Sequence, residues 1–364
     1  MLAVMSYDSL LARIERVAEI ASNLTNDPNA PKYHHVVPQS YIRRWTSGGK
    51  GAVRSVRIDD GRGKLVGPRK VGGEEHFYRL EADDIDQNST PPLLVEVLLE
   101  VFDKLAKDQI DELLGAEPGP VTDVEMKRDL AMVVAAQISR GQSFRQEQLD
   151  LLEYASRQDP IEHSKVAARM WLLSTGQSLD DGTIEVAAAQ MREKDRRSSI
   201  SQDHKPQAIQ LMMQYFPKLI VPLITRNWAV YCTQTPLVTS DDPVVIIGGP
   251  STDRRVKPGN AVAAVWIYPI GRYRLLAFFR PDISPQFPFV LDAVETYEIN
   301  MEIVAAAYEK VFEHPDDDIA NTIAVPPWPV GPRAETVVGL SRRPTRWFES
   351  AEPPAAPVSR WYQS

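Results

Sequence analysis

Residues 32–45 read KYHHVVPQSYIRRW: two adjacent histidines, a Val-Val-Pro-Gln turn, and then Tyr41, Ile42 and Trp45 interleaved with Arg43 and Arg44. Proline suits the first turn of a helix, so the spacing predicts a short helix from Pro38 through Trp45. The aromatic side of that helix would anchor in a core and leave His34 and His35 at its lip. Histidines in that place have two readings. They cap exposed amides or pack under rings, or they bind metal and move protons.

The whole chain bounds the choice. At 364 residues it is long enough for one large domain or two ordinary ones. Lys and Arg number 41 against 49 Asp and Glu, a formal charge of −8, which argues against a broad electrostatic footprint on nucleic acid but leaves room for a local basic groove. The single Cys232 excludes an internal disulfide and a cysteine zinc cage, the usage expected of a cytoplasmic protein. The opening MLAVMSYDSLLARIERVAEIASNL lacks a basic start and is interrupted by Asp8, Arg13, Glu15 and Arg16, so it does not read as a signal peptide. Leu10, Leu11, Ile14, Val17 and Ile20 instead mark an amphipathic helix. No run reaches the roughly 18 apolar residues of a membrane span.

The order of patterns predicts an α+β fold: a small N-terminal β element, a central helical layer, and a C-terminal sheet, mostly antiparallel or mixed, with a final helix. Segments 1–30 (amphipathic helix), 31–90 (histidine-motif lobe), 91–226 (helical region), 227–325 (β-rich region with the final helix) and 326–364 (Pro-rich tail) follow, with 31–325 expected as one compact domain. Val53, Val56 and Ile58 lead to an Asp60-Gly61 hairpin turn and a return strand at Leu65 and Val66. Thr122 and Glu125 form a capping-box pattern, and Asp159-Pro160 reads as an N-cap followed by the first helical residue. WAVYCT, PVVII, AVAAVWIYPI and YRLLAFF read as strands, and a last helix is expected from Phe289 to Phe312. The Pro-rich tail reads as a wrapping arm or a partly disordered end.

The succession HHVVPQSYIRRW, EEHFYRLE, AAQISR, WAVYCTQTPLVTSDDPVVI, IYPI and INMEIVAAAYEKVF resembles an uncharacterised bacterial domain-of-unknown-function family over roughly residues 33 to 313. That family opens on His-x-x-Pro-Gln-x-Tyr-Leu-x-x-Phe and carries a Ser-Asp-Asn-Pro turn in its C-terminal sheet. Ile42, Trp45 and Asp242 depart from its usual Leu, Phe and Asn. The resemblance implies no established activity. Locally, HHVVPQ is also similar to the His-His-x-x-Pro opening of HNH nucleases, which use one histidine on a divalent metal and one to activate water. The Asn and second His or Asp that should follow closely are represented only by His76 and Asn88, far downstream.

The candidate catalytic residues are His34, His35, Arg43, Arg44, Glu75 and His76, and the candidate ligands for a Mg, Mn or Zn ion are His35, His76, Asp241 and Asp242. Each has a structural reading beside it. Arg43 and Arg44 read as an anion pocket or as surface ion-pair partners. GGEEHFYRLE reads as a metal-site loop or as a solvated loop anchored by Phe77 and Tyr78. SDDP reads as a cation site at a strand end or as a turn whose side chains bind nearby amides. Gln137 and Arg140, three apart on an apolar helix, line a cavity or tie two helices together.

Two function classes fit. One is a metal-assisted hydrolase acting on nucleic acid or another phosphate ester in bacterial defence or conflict, with an HNH-like nuclease as its narrow form. The other is a non-enzymatic recognition or regulatory protein that presents its helical region to a protein partner. For the first, His35, Glu75 or His76, and Asp241 are expected to converge in one cleft.

Overall fold

The computed structural model describes residues 7–25, 27, 30, 32–48, 51–157, 159–175, 178–196, 204–329 and 344–363. The chain opens with α1 (Tyr7–Thr25), β1 (Tyr33–His35) and α2 (Gln39–Ile42), and α2 runs into a 3-10 turn over Arg43–Trp45. Next come β2 (Val53–Arg57), β3 (Gly63–Val66) and β4 (Gly73–Glu75). The helical region holds α3 (Leu94–Gly115), the short β5 (Gly119–Val121), α4 (Val124–Arg140), α5 (Gln142–Arg157), α6 (Pro160–Thr175), α7 (Asp181–Arg196) and α8 (His204–Ile224). The last part holds β6 (Asn227–Thr233), β7 (Thr239–Ser240), β8 (Val245–Ile247), β9 (Val265–Gly271), β10 (Arg274–Phe279), β11 (Val290–Leu291), α9 (Ala293–Ala306) and β12 (Lys310–Glu313). The class is α+β, as the order of patterns implies.

The central sheet explains why its strands are apolar almost without interruption. Its path is β11-β6-β10-β9-β8, with β5 also paired to β6, and every pairing is antiparallel except β11 with β6. Successive strand residues point to opposite faces. Trp228, Val230, Trp266, Tyr268, Leu276 and Phe278 therefore meet the helices α3, α4 and α8 on one side. Ala229, Tyr231, Val265, Ile267, Leu275 and Ala277 meet α9 and the C-terminal tail on the other. Both faces are covered, so neither needs polar residues.

The N-terminal β element is not independent. The β2–β3 hairpin turns at Gly61, whose φ of +65° suits glycine, and β2 then pairs with β12 in a four-stranded sheet ordered β3-β2-β12-β7. The final helix is correspondingly shorter than the expected Phe289–Phe312. It starts at a capping box of Asp292 and Glu295 and stops at Ala306, because the following residues are drawn into strand β12. Helix α4 is capped by Asp123, whose Oδ1 accepts from the Met126 amide at 2.8 Å, not by Thr122. The expected cap at Asp159 is present, accepting from the Ile161 amide at 2.8 Å.

In α1, Val17 and Ala21 are buried against Leu94, Val97 and Leu98, while Ile20 faces outward; Leu10, Leu11 and Ile14 lie outside the described side chains. Residues 330–343 of the tail are likewise outside the described residues. The part that follows wraps the core, burying Val358 and Trp361 against Tyr231 and Phe279.

The histidine stretch is fixed by its aromatic residues. Tyr41 stacks on Tyr268 at 5.1 Å, donates to the Pro269 carbonyl at 2.6 Å and meets Thr239 Oγ1 at 2.7 Å. Trp45 is wholly buried and donates through Nε1 to the Leu237 carbonyl at 2.9 Å. Removing so large a buried ring leaves a cavity as well as an unpaired carbonyl, so Trp45→Ala will destabilise the protein by about 3–5 kcal/mol. Arg43→Ala, at an exposed neighbour, will change stability by about 0.5 kcal/mol or less; chemical denaturation of the two variants checks the contrast.

Candidate functional site

Strand β1 pairs antiparallel with β4, and its alternation sends the two histidines to different places. His34 points inward and is fully buried. His35 sits opposite Gly73, where a Cβ would lie 2.5 Å from the Tyr33 ring and 2.6 Å from the His34 carbonyl, so only glycine lets the strands approach. The amides of Val36 and Val37 then donate to the Gly72 carbonyl at 2.7 and 3.0 Å, with Gly72 at a φ of +65°.

His35 lies half-buried in the wall of a cleft of about 350 Å³ between the histidine stretch and α3. Its Nε2 is 3.0 Å from the Gln39 amide nitrogen. An amide nitrogen only donates, so Nε2 is the acceptor and the neutral ring carries its proton on Nδ1. The ring also hydrogen-bonds to the backbone of Arg69, which orients it. Burial pulls the imidazole below its ordinary pKa; the Arg69 bond and Asp103 oppose that pull, and Arg140 adds to it.

The same cleft is lined by a carboxylate stripe on α3: Glu96, Glu100 and Asp103, spaced four and three so that one helical face carries all of them. Burial, Asp103 and Glu100 push Glu96 up to about 7 against the pull of Arg140. Burial raises Asp103 as well, opposed by its 2.8 Å ion pair with Arg140. Arg140 is itself buried, and its Nε and second terminal nitrogen donate to Gln137 Oε1 at 3.0 and 2.7 Å. Gln137 in turn donates to the Val36 carbonyl at 3.2 Å, one residue past His35. Gln137 and Arg140 therefore tie α4 to α3 and to the histidine stretch. Lys104 and Lys107 complete the rim. Nothing in the sequence marks the stripe, because Glu96, Glu100 and Asp103 have the spacing of the solvated side of an amphipathic helix.

The remaining candidates are placed differently. His34 Nδ1 accepts the Tyr78 amide at 2.9 Å, its ring stacks on Tyr78 at 5.9 Å, and Glu96 approaches to 3.9 Å. Arg43 is exposed. Arg44 ties the stretch to α3 through Asp111 at 2.7 Å and the Ser40 and Lys107 carbonyls. Glu75 is exposed at the end of β4. His76 follows at a φ of +54°, its ring edge against His34 at 6.4 Å and its Nδ1 buried without a hydrogen-bond partner among the described residues.

The SDDP turn binds backbone. Asp241 is buried, and its carboxylate accepts the amides of Tyr308 at 2.8 Å, Glu309 at 2.8 Å and Lys310 at 2.9 Å, the segment that turns α9 into β12. Burial and the adjacent Asp242 push its carboxyl upward, against the pull of those three amides. Asp242 Oδ2 accepts the Ser143 amide at 3.2 Å in the first turn of α5, and its Oδ1 leaves no room for a Cβ on Gly141. Asp242 lines a second cavity, which does not contain His35. The expected convergence of His35, Glu75 or His76, and Asp241 is thus replaced, in the His35 cleft, by Glu96, Glu100 and Asp103. Among the described residues no three His, Cys, Asp or Glu side chains are grouped to hold a metal ion.

A family described as "Protein of unknown function (DUF4238)" matches residues 33–317. The chain belongs to DUF4238. The match bears out the resemblance carried by the ordered motifs, and it includes the whole His35 cleft, Arg140 and the SDDP turn. Helix α1 and the Trp361 end of the tail lie outside the DUF4238 match. No curated protein and no solved structure matches the chain. No helix among the described residues is long and apolar enough to cross a membrane.

The Glu96 shift has a consequence for stability. Its pKa is about 7 in the fold and about 4.3 in an unfolded chain. The native state therefore holds a proton that the unfolded state has lost, and stability drains away as pH rises from about 4.3 through about 7. Melting temperature recorded from pH 5 to 8 will fall, and Glu96→Gln, which cannot ionise, will flatten part of that fall.

Proposed function

We propose that the His35 cleft hydrolyses a small phosphate ester by general acid–base catalysis. The observation that carries this reading is the presence, in one cleft, of an imidazole held toward its neutral form with Nε2 as a hydrogen-bond acceptor and a carboxyl titrating at about 7. Environments that move two titratable groups apart from their ordinary values, in a concave site, are a recurrent mark of acid–base chemistry. The cleft volume suits a small ester better than a polymer that the chain's charge of −8 would repel.

In this mechanism water attacks phosphorus while His35 Nε2 takes its proton in the place where Gln39 now donates. The phosphorus–oxygen bond to the leaving group breaks, and protonated Glu96 gives its proton to the departing oxygen. His35 then releases a proton to solvent and Glu96 regains one. The Asp103–Arg140–Gln137 set ties together the two elements, α3 and the histidine stretch, that carry these groups. A divalent Mg, Mn or Zn ion is the alternative aid to hydrolysis, and among the described residues no group of three His, Cys, Asp or Glu side chains stands ready to hold it.

Purified protein assayed against small phosphomonoesters and phosphodiesters, DNA and RNA tests the reading. Activity on a small ester will rise as His35 loses its proton below pH 6.5 and fall as Glu96 ionises near 7. His35→Ala will lose about 10²- to 10⁴-fold, and Glu96→Gln will remove the alkaline limb together with most of the rate. Equal activity in EDTA supports the acid–base form; activity that returns only with added Mg²⁺, Mn²⁺ or Zn²⁺ supports the metal-assisted form. A folded protein that turns over none of these esters overturns the proposal.

A further inference from the structure

Both nitrogens of the His35 ring are engaged. The ring bonds to the Arg69 backbone and meets the Tyr33 ring edge-on at 5.4 Å, and Nε2 accepts from the Gln39 amide at 3.0 Å. A general base works through a lone pair within hydrogen-bond reach of the proton it takes. At rest Gln39 occupies that lone pair.

The sequence builds the pair locally. Strand β1 ends at His35, and Pro38, with φ −58° and ψ 139°, keeps the chain extended until Gln39 opens α2. The two side chains, four residues apart, thereby meet in the wall of one cleft. One partner is fixed and the other can turn. His35 is held by the pairing of β1 with β4 and by its ring contacts, while the backbone of α2 is held by buried Tyr41 and Ile42. The Gln39 side chain is half-buried beside a cleft of about 350 Å³, and among the described residues its bond to His35 is the one hydrogen bond it makes. Its release needs a side-chain rotation and no movement of backbone.

A primary amide has two N–H donors and one acceptor, so Gln39 can exchange His35 for an oxygen of a bound ester without going unpaired. The exchange is favourable, because a hydrogen bond to an anionic oxygen is about twice as strong as one between neutral groups. We infer that Gln39 is a latch on His35: its amide covers the Nε2 lone pair in the resting site, and an ester oxygen entering the cleft draws the amide away and so frees the base beside itself. The inference rests on the hydrolytic reading for its substrate and on the His35–Gln39 contact for the rest. Gln39 is then a positioning residue that couples occupancy of the cleft to availability of the base.

Gln39→Leu keeps most of the side-chain bulk and removes the amide, and Gln39→Ala is the second variant should Gln39→Leu fail to fold. The full chain and each variant are treated with diethyl pyrocarbonate, which acylates the free lone pair of a neutral imidazole, at pH 8, where His35 is neutral. Acylation is located by peptide mass spectrometry, with exposed His204 as the internal reference. His35 in a folded variant will be acylated at least tenfold faster than in the parent, and His204 at the same rate. On a small phosphate ester the variant will show a KM about fivefold higher, the difference between hydrogen bonds to a charged and a neutral acceptor, with kcat within about twofold. Equal acylation of His35 in parent and variants would overturn the latch, as would a fall in kcat at unchanged KM, the mark of a group that acts only in the transition state. A parent that hydrolyses no ester overturns the hydrolytic reading instead, and the acylation contrast still decides whether Nε2 is covered.

Discussion

A buried guanidinium organises this molecule. Arg140 carries its charge into the interior, where an ion without partners is costly, and the fold surrounds it with Asp103, Gln137 and, through Gln137, the backbone of the histidine stretch. Three segments far apart in sequence are thereby fixed to one another: α3, the end of α4, and Val36. Tyr78 adds a fourth by donating to the Arg140 carbonyl at 3.2 Å. The cleft that carries His35 is the outer surface of this junction. Its unusual titrations follow from the same burial that obliges Arg140 to be paired.

A parallel junction at the SDDP turn holds the other side of the molecule. Asp241 gathers three successive amides at the point where α9 would otherwise continue, and the chain turns there into the strand that joins β2. Asp242 reaches the opposite way to the first turn of α5, past Gly141, where a Cβ would displace its carboxylate. Two adjacent carboxylates with two different backbone partners thus connect the sheet to the helical layer. A divalent cation would have to compete with those amides for the same oxygens.

The architecture was legible where patterning reports burial. The β2–β3 hairpin followed from Val53, Val56 and Asp60-Gly61, and the central strands from apolar runs that are continuous because both sheet faces are covered. The ordered motifs marked the family. What periodicity does not report is which distant strands pair: nothing local to Lys310–Glu313 announces that it leaves the helical pattern for β2, since the cause is a carboxylate nearly seventy residues earlier. The site was half legible for the same reason. His35 stood out by its neighbours, whereas Glu96, Glu100 and Asp103 have the spacing of any solvated helix face; Arg140 draws Asp103 inward, Glu96 is half-buried beside it, and Glu100 stays exposed. His34 and Asp241 are expected from the sequence as a catalytic group and a metal ligand or as structural residues, and in the fold the hydrogen bonds of both lead to backbone amides.

The central claim is that the fold holds His35 neutral, oriented from Nδ1 and with Nε2 as the acceptor. Long-range proton–nitrogen NMR of the imidazole rings, titrated from pH 4 to 8 and assigned with His35→Gln, measures both properties in one series. The account predicts an Nδ1-protonated tautomer and a midpoint below 6.5 for His35. An Nε2-protonated ring, or a midpoint above 6.5, would contradict it.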